Sequence, residues 1–261
     1  MSSRPSASHA SPAEWDGEVY HRISDPQYEW ATEVVDRAAL HGDEVVLDAG
    51  CGSGRVTKLL VERVPDGRVI GVDGSESMIA KAREVLGPDV DLRVLSLTDI
   101  DLDQEVDVVF SNAVFHWIPD LDLLFSRLHR ALKFGGRLVA QCGGQGNVAP
   151  LVQAIDEVSA EPRYAAHLAD MERPWNFIAP EDAEPSLHAA GFEDVRCWLV
   201  DKRIAPDQPL EFLTTATLGS HLARLPDEDT RPFAEAVAAK LPSPLTLDYV
   251  RLNIDARRPA A

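Results

Sequence analysis

A turn with three glycines follows a short apolar stretch of the chain. Residues 45–47 are apolar and lead to Asp48, and the turn then carries Gly50, Gly52 and Gly54 before a helical pattern begins. Strand, tight turn and helix in this order are how an α/β fold builds a nucleotide site. Glycines leave the backbone bare, so a ligand is expected to lie directly against the turn. The pattern therefore predicts a nucleotide-cofactor site.

A second acidic residue ends the next predicted strand, residues 68–73. Asp73 follows the glycine turn at roughly the 20-residue spacing expected of an acid that binds a ribose. Its carboxylate can accept hydrogen bonds from both ribose hydroxyls. The alternative is a charge that only stabilises the N-terminus of the helix for which Ser75 is the predicted N-cap. Spacing and strand-end position together favour the ribose role.

One histidine follows the end of the fourth predicted strand, residues 106–110. Ligands bind at the carboxyl ends of the strands in an open α/β sheet. His116 is therefore the candidate catalytic residue, either as a general base or as a hydrogen-bond donor to an anionic substrate. The alternative is a structural histidine packed beside Trp117. Trp117 is predicted to contact the cofactor or substrate, with core packing as its alternative.

Hydrophobic periodicity predicts the elements that position these groups. A helix at 76–86 follows Asp73, and a helix at 121–132 follows Pro119 and Asp120. Further strands are predicted at 91–95, 137–141, 193–200 and 247–256, and further helices at 148–159, 180–190, 210–221 and 230–241.

The glycine spacing separates two classes of cofactor. The dinucleotide fingerprint is G-x-G-x-x-G, but here the third glycine comes one residue early and Arg55 holds the dinucleotide position. The chain also lacks a catalytic Tyr-x-x-x-Lys pair. An NAD(P)-dependent oxidoreductase remains an alternative function, as does a non-catalytic protein that binds the cofactor.

Four motifs resemble those of the class I S-adenosylmethionine-dependent methyltransferases, in the same order and at similar spacing. They read VVLDAGCGSG, VIGVDGSESMIAKAR, VDVVFSNAVFHWIPD and LKFGGRLVAQ. Three stretches are similar to the trans-aconitate methyltransferase branch: WDGEVYHRISDPQYEWATEVVDRA, SNAVFHWI and FIAPEDAEPSLHAAGFEDVRCWLV. The general resemblance covers about residues 15–202.

The resemblance implies a Rossmann-like α/β fold with helices on both faces and a helical lid. Its seven-stranded, mostly parallel sheet has the order 3-2-1-4-5-7-6, with strand 7 antiparallel. The implied cofactor is S-adenosylmethionine, and the implied reaction is methyl transfer to a small molecule, with a carboxylic acid favoured. The implied cofactor-binding residues are Tyr20, Asp48, Ala49, Gly50, Cys51, Gly52, Gly54, Asp73, Gly74, Ser75, Met78, Thr98, Asp99, Ile100, Asn112, Ala113 and Trp117.

Three further assignments, besides those of Asp73 and Trp117, have open alternatives. Met78 could face the adenine or belong to the core. Asp99 is implied to meet the adenine amino group, but it lies among Asp101 and Asp103 and could belong to a solvated acidic loop. Tyr20 could reach the cofactor carboxylate or pack onto the first helix.

Charge and composition restrict the partners. The 261 residues carry a formal net charge of −18 and no basic stripe, so no nucleic-acid partner is expected. A small acidic substrate would need local arginines, for which Arg22 and Arg163 are candidates. No Cys/His spacing suggests a metal, and no apolar run has transmembrane length, so neither a metal nor a membrane is expected.

Residues 1–14 are predicted to form a flexible tail, and residues 15–261 a single methyltransferase domain. Helical additions to the minimal fold are expected at about 15–42, 147–190 and 208–242. The three cysteines give no disulfide framework and fit a reducing compartment. We therefore predict a cytoplasmic protein that is a monomer or a homodimer.

Overall fold

The computed structural model describes residues 25–261, and its centre is a seven-stranded sheet. The strands are β1 (Val45–Ala49), β2 (Arg68–Asp73), β3 (Asp91–Val94), β4 (Val106–Asn112), β5 (Leu132–Gly143), β6 (Glu193–Ile204) and β7 (Leu247–Arg257). Their order is β3-β2-β1-β4-β5-β7-β6, and β7 runs antiparallel to both of its neighbours. The fold class and strand order expected from the sequence are confirmed.

Helices cover both faces of the sheet. They are α1 (Asp25–Arg37), α2 (Arg55–Arg63), α3 (Glu76–Leu86), α4 (Leu121–Ala131), α5 (Ala149–Ser159), α6 (Ala165–Leu168), α7 (Pro180–Ala189), α8 (Pro209–Ala216), α9 (Gly219–Leu222) and α10 (Asp227–Ala239), with short 3-10 turns at Leu97–Asp99 and Phe115–Trp117. Successive strand side chains alternate between the faces. Leu47 packs in the same core cluster as residues of α4 and α7, whereas Val46 packs in the cluster of α1 and α2.

Side-chain caps fix the start of two helices beside the site. The Ser75 hydroxyl accepts a hydrogen bond from the Met78 backbone N–H at 3.3 Å, at the start of α3. The Asp120 carboxylate accepts from the Leu123 N–H at 2.9 Å, at the start of α4. Each cap satisfies a backbone donor that has no partner within its helix. The predicted starts of both helices are therefore confirmed.

A second helical layer, consisting of α5, α6, α8, α9 and α10, packs around its own apolar core. Tyr164 and Phe233 meet edge to face in this core, with ring centroids 5.1 Å apart. Trp30 of α1 and Tyr249 of β7 join the same core, 5.1 Å apart. The layer is therefore continuous with the sheet. None of the helices between residues 25 and 261 is long and apolar enough to cross a membrane.

The fifth strand starts earlier than predicted. It begins at Leu132, and the two glycines expected to precede it lie within it. Val106 pairs with Leu132 but Val108 pairs with Arg137, so β5 bulges between these pairs. The bulge accommodates Gly135 at a φ of 75°. The prediction of a start at 137 was wrong because a bulge keeps the ladder continuous across a turn-like sequence.

The predicted helix at 210–221 is two helices. Its first part, α8, ends at Ala216. The hydroxyl of the next residue, Thr217, donates to the Leu213 carbonyl at 2.8 Å, and α9 begins at Gly219. Side-chain bonds of this kind compete with the backbone ladder of a helix. The helix predicted at 230–241 starts earlier, at Asp227, where acidic residues in the first turn follow Pro226.

Strand β6 is longer than predicted. It runs to Ile204, which pairs with Leu247, whereas the sequence predicted an end at residue 200. Pairing along the whole length of β7 extends the strand beyond its clear alternation of apolar and polar residues. The remaining predicted boundaries differ from the observed ones by one or two residues at most.

Candidate active site

The glycine turn joins β1 to α2 at the carboxyl edge of the sheet. Gly50, Gly52 and Gly54 have φ values of 90°, 52° and 83°, which side chains rarely permit. The backbone N–H groups of Gly50 and Cys51 donate to the Val72 carbonyl at 2.8 and 3.0 Å. These bonds tie the turn to the end of the neighbouring strand β2.

Only one of the three glycines faces open space. A Cβ on Gly50 would lie 2.2 Å from the Val114 side chain, and a Cβ on Gly54 would lie 3.1 Å from the Cα of Ala82. A Cβ on Gly52 would meet nothing within 4 Å among the described residues. The absence of a side chain at Gly50 and Gly54 therefore permits close packing of the protein itself, and the predicted contacts of these glycines with a ligand stay predictions.

Asp73 is joined directly to that open position. Its Oδ2 accepts a hydrogen bond from the Gly52 N–H at 3.0 Å, and its Oδ1 accepts from the Ser75 N–H at 2.9 Å. Burial raises the pKa of the Asp73 carboxyl, and these two N–H groups oppose the rise. Each oxygen keeps a second lone pair, so the carboxylate can still accept hydrogen bonds from ribose hydroxyls.

Asp48 supports the turn from beneath. The residue is 2% exposed, and its Oδ2 accepts from the Thr57 hydroxyl at 2.7 Å, which links β1 to α2. Burial, reinforced by the charge of Asp73, raises the pKa of Asp48 to about 7 against the Thr57 bond, which lowers it. Asp48 therefore holds the geometry of the turn from within the protein.

The raised pKa of Asp48 makes stability depend on pH. The folded-state pKa of about 7 exceeds the ordinary value of 3.8, so the folded protein favours the protonated Asp48 carboxyl. The stability gained from this protonation is fully present below the ordinary value and is lost as pH rises through about 7. Lowering the pH from about 8 to about 5.5 should add about 2 kcal/mol to the free energy of unfolding through this group. Urea denaturation at both pH values measures the gain.

Asp48→Asn should remove that gain while keeping an oxygen for the Thr57 hydroxyl. Asp66→Asn, at an exposed site before β2, is the matched control and should keep it. An equal pH response in wild type and Asp48→Asn would contradict the assignment.

Several residues implied to bind the cofactor have buried side chains. Cys51, Met78 and Ile100 are 6%, 4% and 1% exposed, and burial raises the pKa of the Cys51 thiol well above its usual range. Ala49 is buried at the end of β1, where its carbonyl accepts from the Ser111 hydroxyl at 2.6 Å. Little of these residues is exposed in the structure, and their contacts with the cofactor stay predictions.

The remaining residues implied to bind the adenosine follow β2 and β3. Gly74 and Ser75 lie between Asp73 and α3, and Thr98 lies in the 3-10 turn after β3 with its hydroxyl 2.9 Å from that of Ser96. The structure thus places this set at the carboxyl edge of the sheet. Tyr20 lies outside the described residues.

Asp99 differs from the acids that follow it. Asp101 and Asp103 lie 3.0 and 3.9 Å from the guanidinium of Arg130. The exposed carboxylate of Asp99 has no ion pair or hydrogen bond within residues 25–261. A carboxylate without a protein partner can accept a hydrogen bond from an adenine amino group. Within the acidic loop, this contrast favours Asp99 as the ligand-binding residue.

The chain bends sharply after β4. Asn112 ends the strand, and Ala113 has a φ of 64° while its N–H donates to the Gln141 carbonyl at 2.7 Å. Positive φ is uncommon for alanine and concentrates at functional sites. The bend brings Val114 over Gly50 and starts the short turn that carries His116. An alanine gives no sequence signal for such a bend.

His116 is held in one protonation state. The residue is 8% exposed, and its ring lies 5.2 Å from the ring of Trp117 and 5.6 Å from that of Phe177. The backbone N–H of Gly143 donates to its Nδ1 at 3.2 Å. Burial, together with the charge of Arg251, lowers the pKa of His116 well below its usual range. The ring is therefore neutral, with its proton on Nε2.

This protonation state separates the two roles predicted for His116. Its Nδ1 lone pair is engaged by a backbone donor, and its Nε2 already carries a proton. Such a ring donates a hydrogen bond through Nε2–H and has no nitrogen ready to take a proton. The geometry favours the hydrogen-bond donor over the general base.

A pair of aromatic rings covers His116. Trp175 and Phe177 stack with centroids 5.8 Å apart and planes at 6°, and the Asn176 N–H donates to the His116 carbonyl at 2.7 Å. Trp175 also lies 6.1 Å from Trp117. The sequence marks this segment as irregular and aromatic, but no spacing rule brings it to residues so far away in the chain.

Sequence reasoning also missed a buried arginine behind His116. Arg251 of β7 is 2% exposed; its Nε lies 3.4 Å from the Gln141 side-chain oxygen, and its guanidinium lies 5.3 Å from the Trp30 ring. Its charge also lowers the pKa of the Cys142 thiol, against a larger rise caused by burial. Arg251 therefore places a positive charge at this end of β5 and β7.

Of the two arginines proposed from the sequence, Arg163 is the one that the structure describes, and it pairs elsewhere. Arg163 lies on the surface, 2.6 Å from the Asp229 carboxylate, so it belongs to an exposed ion pair. That prediction was wrong, because sequence position alone does not show which face of a loop an arginine occupies. Arg22 lies outside the described residues. No group of three His, Cys, Asp or Glu side chains in residues 25–261 is arranged to hold a metal ion.

Comparison with known proteins agrees with this arrangement. Residues 46–136 match the protein family described as a methyltransferase domain. Over 186 residues the chain is 32% identical to a trans-aconitate 2-methyltransferase of Variovorax paradoxus (strain S110), an alignment that covers 71% of each protein. The chain belongs to the class I S-adenosylmethionine-dependent methyltransferases.

This methyltransferase has other relatives. It is 32% identical over 208 residues to an uncharacterized methyltransferase of Schizosaccharomyces pombe (strain 972), covering 71% of this chain and 78% of that one. Further trans-aconitate 2-methyltransferases align with 49–60% of this chain and 50–61% of their own length.

A solved structure shares the methyltransferase fold. Haemonchus contortus phosphoethanolamine N-methyltransferase 2, in complex with phosphomonomethylethanolamine and S-adenosylhomocysteine, superimposes with a TM-score of 0.62 at 20% identity. The match covers 93% of this chain and 57% of that one, and it is a likeness of fold.

The residues of the site fit S-adenosylmethionine, the cofactor of this methyltransferase. The open side of Gly52 leaves room for a ligand against the turn, and a Cβ at that position would project into this room. Asp73 keeps lone pairs that would suit two ribose hydroxyls, and the carboxylate of Asp99 would suit the adenine amino group.

Proposed function

We propose that this methyltransferase transfers a methyl group to a carboxylate oxygen of a small organic acid similar to trans-aconitate. The named relatives support this class of acceptor. The observation that carries the proposal is the hydrogen bond from the Gly143 N–H to His116 Nδ1. It leaves His116 as a donor, so the acceptor should need no base. A carboxylate is already ionised at neutral pH and has no proton to lose.

The electrostatics around His116 suit an anion. Burial lowers the pKa of His116 most, and the charge of Arg251 lowers it further, so Arg251 contributes a positive potential at the imidazole. The Nε2–H of His116 adds a directional donor, and a hydrogen bond to a charged acceptor is stronger than one between neutral groups. The formal net charge of −18 acts at long range and does not oppose this local arrangement.

The cofactor and the protein divide the chemistry. S-adenosylmethionine supplies an electrophilic methyl group when it is bound. Asp73 would hold its ribose and Asp99 its adenine, while the backbone at Gly52 lies against it. The protein must also orient the acceptor and exclude water from the site. Trp175 and Phe177 lie over the His116 side of the site, where they would exclude water.

The proposal is tested by methyl transfer to matched acceptors. Purified protein is given methyl-labelled S-adenosylmethionine with trans-aconitate, with its amides, or with alcohols and amines of similar size. Label should enter the acid and form a base-labile ester, and the amides should accept no label. Gly52→Val is the negative control, because its side chain would fill the open side of the turn and prevent cofactor binding. Transfer to an amine or alcohol, with none to any acid, would contradict the proposal.

A further inference from the structure

The charge on the acceptor disappears during the proposed reaction. A carboxylate oxygen forms a bond to the methyl carbon while the carbon–sulfur bond breaks, and the electron pair of that bond stays on sulfur. The carboxylate becomes a neutral ester, and the sulfonium becomes a neutral thioether. A cation held against the reacting carboxylate therefore loses attraction as the reaction proceeds. Such a contact stabilises the bound acceptor more than the transition state, so it raises the barrier.

Two groups that favour an anion nevertheless lie together at the end of β5. The Gly143 N–H donates to His116 Nδ1, and Gly143 is paired with Arg251 across β5 and β7. Directly paired residues of antiparallel strands project from the same face of the sheet. A Cβ on Gly143 would lie 2.6 Å from Phe177, whose ring lies 5.6 Å from that of His116. Arg251 therefore starts from the face of the sheet on which Phe177 and His116 meet.

The side chain of Arg251 is held in a fixed position. Its Nε lies 3.4 Å from the Gln141 side-chain oxygen, and its guanidinium lies 5.3 Å from the Trp30 ring. The backbone carbonyl of Gln141 accepts the Ala113 N–H at 2.7 Å, at the bend that leads to His116. Gln141 thus fixes both the cation and the chain that carries the imidazole. A charge held in this way can select the charge of a ligand without touching it.

The Nε2–H of His116 is the group that meets the ligand. In residues 25–261 no hydrogen bond engages Nε2, and it is not among the buried polar atoms there that lack a partner, so a ligand can reach it. Arg251 is only 2% exposed and lies behind the ring. Burial lowers the pKa of His116 most, and the charge of Arg251 lowers it further, so this charge reaches the imidazole. An anion bound to Nε2–H would gain from the same charge.

Given the proposed function, on which this inference rests, we propose that His116 and Arg251 hold a carboxylate of the acceptor that is not methylated. His116 donates its Nε2–H to this carboxylate, and Arg251 is a specificity-determining residue that favours its charge. The reacting carboxylate lies apart from both, toward the open side of Gly52. The acceptor therefore carries at least two carboxylates, of which one keeps its charge throughout the reaction.

Trans-aconitate and its three monoamides separate the two carboxylate roles, because each amide replaces one carboxylate by a neutral group of similar shape. Binding to the full chain loaded with S-adenosylhomocysteine is measured by calorimetry, and transfer is measured separately with methyl-labelled S-adenosylmethionine. The monoamide at the reacting position should bind nearly as trans-aconitate does and accept no label. The monoamide at the position held by His116 should bind about 10-fold or more weakly and still accept label when saturating.

Variants assign the preference to Arg251. Arg251→Met should weaken trans-aconitate binding about 10-fold and reduce its advantage over the weakly bound monoamide, as expected when a shared interaction is lost. Arg251→Lys keeps the charge and should recover most of both. Gln141→Glu places a carboxylate beside the Arg251 Nε and should act as Arg251→Met does, even if that variant does not fold. Arg231→Met, at an exposed site on α10, is the matched control and should bind as wild type does.

Unchanged S-adenosylhomocysteine affinity shows that a variant is folded. Three results would overturn the proposal: no binding of trans-aconitate to the wild type, unchanged binding in folded Gln141→Glu, or a weakly bound monoamide that is also the one that accepts no label. In the last case His116 would hold the reacting carboxylate. If trans-aconitate binds with the expected preferences but no acid accepts label, the carboxylate site stands and the proposed function is wrong. Label in the acid with unchanged binding in the variants would do the reverse.

Discussion

Asp73→Ala is expected to weaken S-adenosylhomocysteine binding by about 1.5–3 kcal/mol, or about 10- to 150-fold. The carboxylate accepts the N–H groups of Gly52 and Ser75, and its remaining lone pairs are available to the ribose hydroxyls. The variant loses charge-assisted hydrogen bonds to the ligand and also loosens the turn. Calorimetry on the folded variant measures the loss.

A second ligand separates those two effects. A 2′,3′-dideoxy analogue of S-adenosylhomocysteine should bind wild type about 10-fold or more weakly than the parent, because the ribose hydroxyls are gone. Asp73→Ala should bind parent and analogue with similar affinity, as expected when a shared interaction has already been removed. Asp66→Asn, exposed before the start of β2, should behave as wild type. A folded Asp73→Ala with wild-type affinity would show that another group holds the ribose.

His116→Asn is expected to lower kcat/KM by about 10- to 100-fold, mainly through a higher KM for the acceptor. The shorter amide can still accept the Gly143 N–H with its oxygen, as Nδ1 does, but it has no donor at the position of Nε2. His116→Gln reaches further and can place a donor near that position. The glutamine variant should therefore recover part of the lost KM. Steady-state rates at saturating S-adenosylmethionine provide both constants.

The same rates distinguish a hydrogen-bond donor from a general base at His116. Loss of a base removes about 10²- to 10⁴-fold in turnover even when the acceptor is saturating. A fall of that size in His116→Asn with an unchanged KM, and no recovery in His116→Gln, would contradict the role of hydrogen-bond donor.

Much of the fold could be predicted because its signals are local. The starts of α3 and α4 follow from Ser75 and Asp120, each a cap within three residues of its partner. The bulge in β5 could not be predicted, because the pairing of Val106 with Leu132 and of Val108 with Arg137 depends on the neighbouring strand. The sheet order itself came from the family resemblance.

The candidate site also has residues that local sequence predicts and residues that it does not. Gly52 and Asp73 were found from spacing along one strand–turn–helix–strand unit, and the structure joins them by a hydrogen bond. The protonation state of His116 depends on Gly143, a distant residue at the end of another strand. Trp175 and Arg251 come from segments still further along the chain, and no local pattern marks them. Tertiary contacts therefore decide the chemistry of His116, while local sequence decides where the cofactor turn lies.

The most direct test of the carboxylate acceptor is to measure the single-turnover rate of methyl transfer as a function of pH. S-adenosylmethionine and an acid acceptor are both saturating, so the measured rate is that of the chemical step. Unperturbed carboxyl and histidine groups titrate near 4 and 6.5. If the acceptor is an ionised carboxylate and His116 is a neutral hydrogen-bond donor, the rate should be nearly constant between about pH 6 and pH 9. A rate that rises through a histidine pKa, and loses that rise in His116→Asn, would contradict a carboxylate acceptor that needs no base.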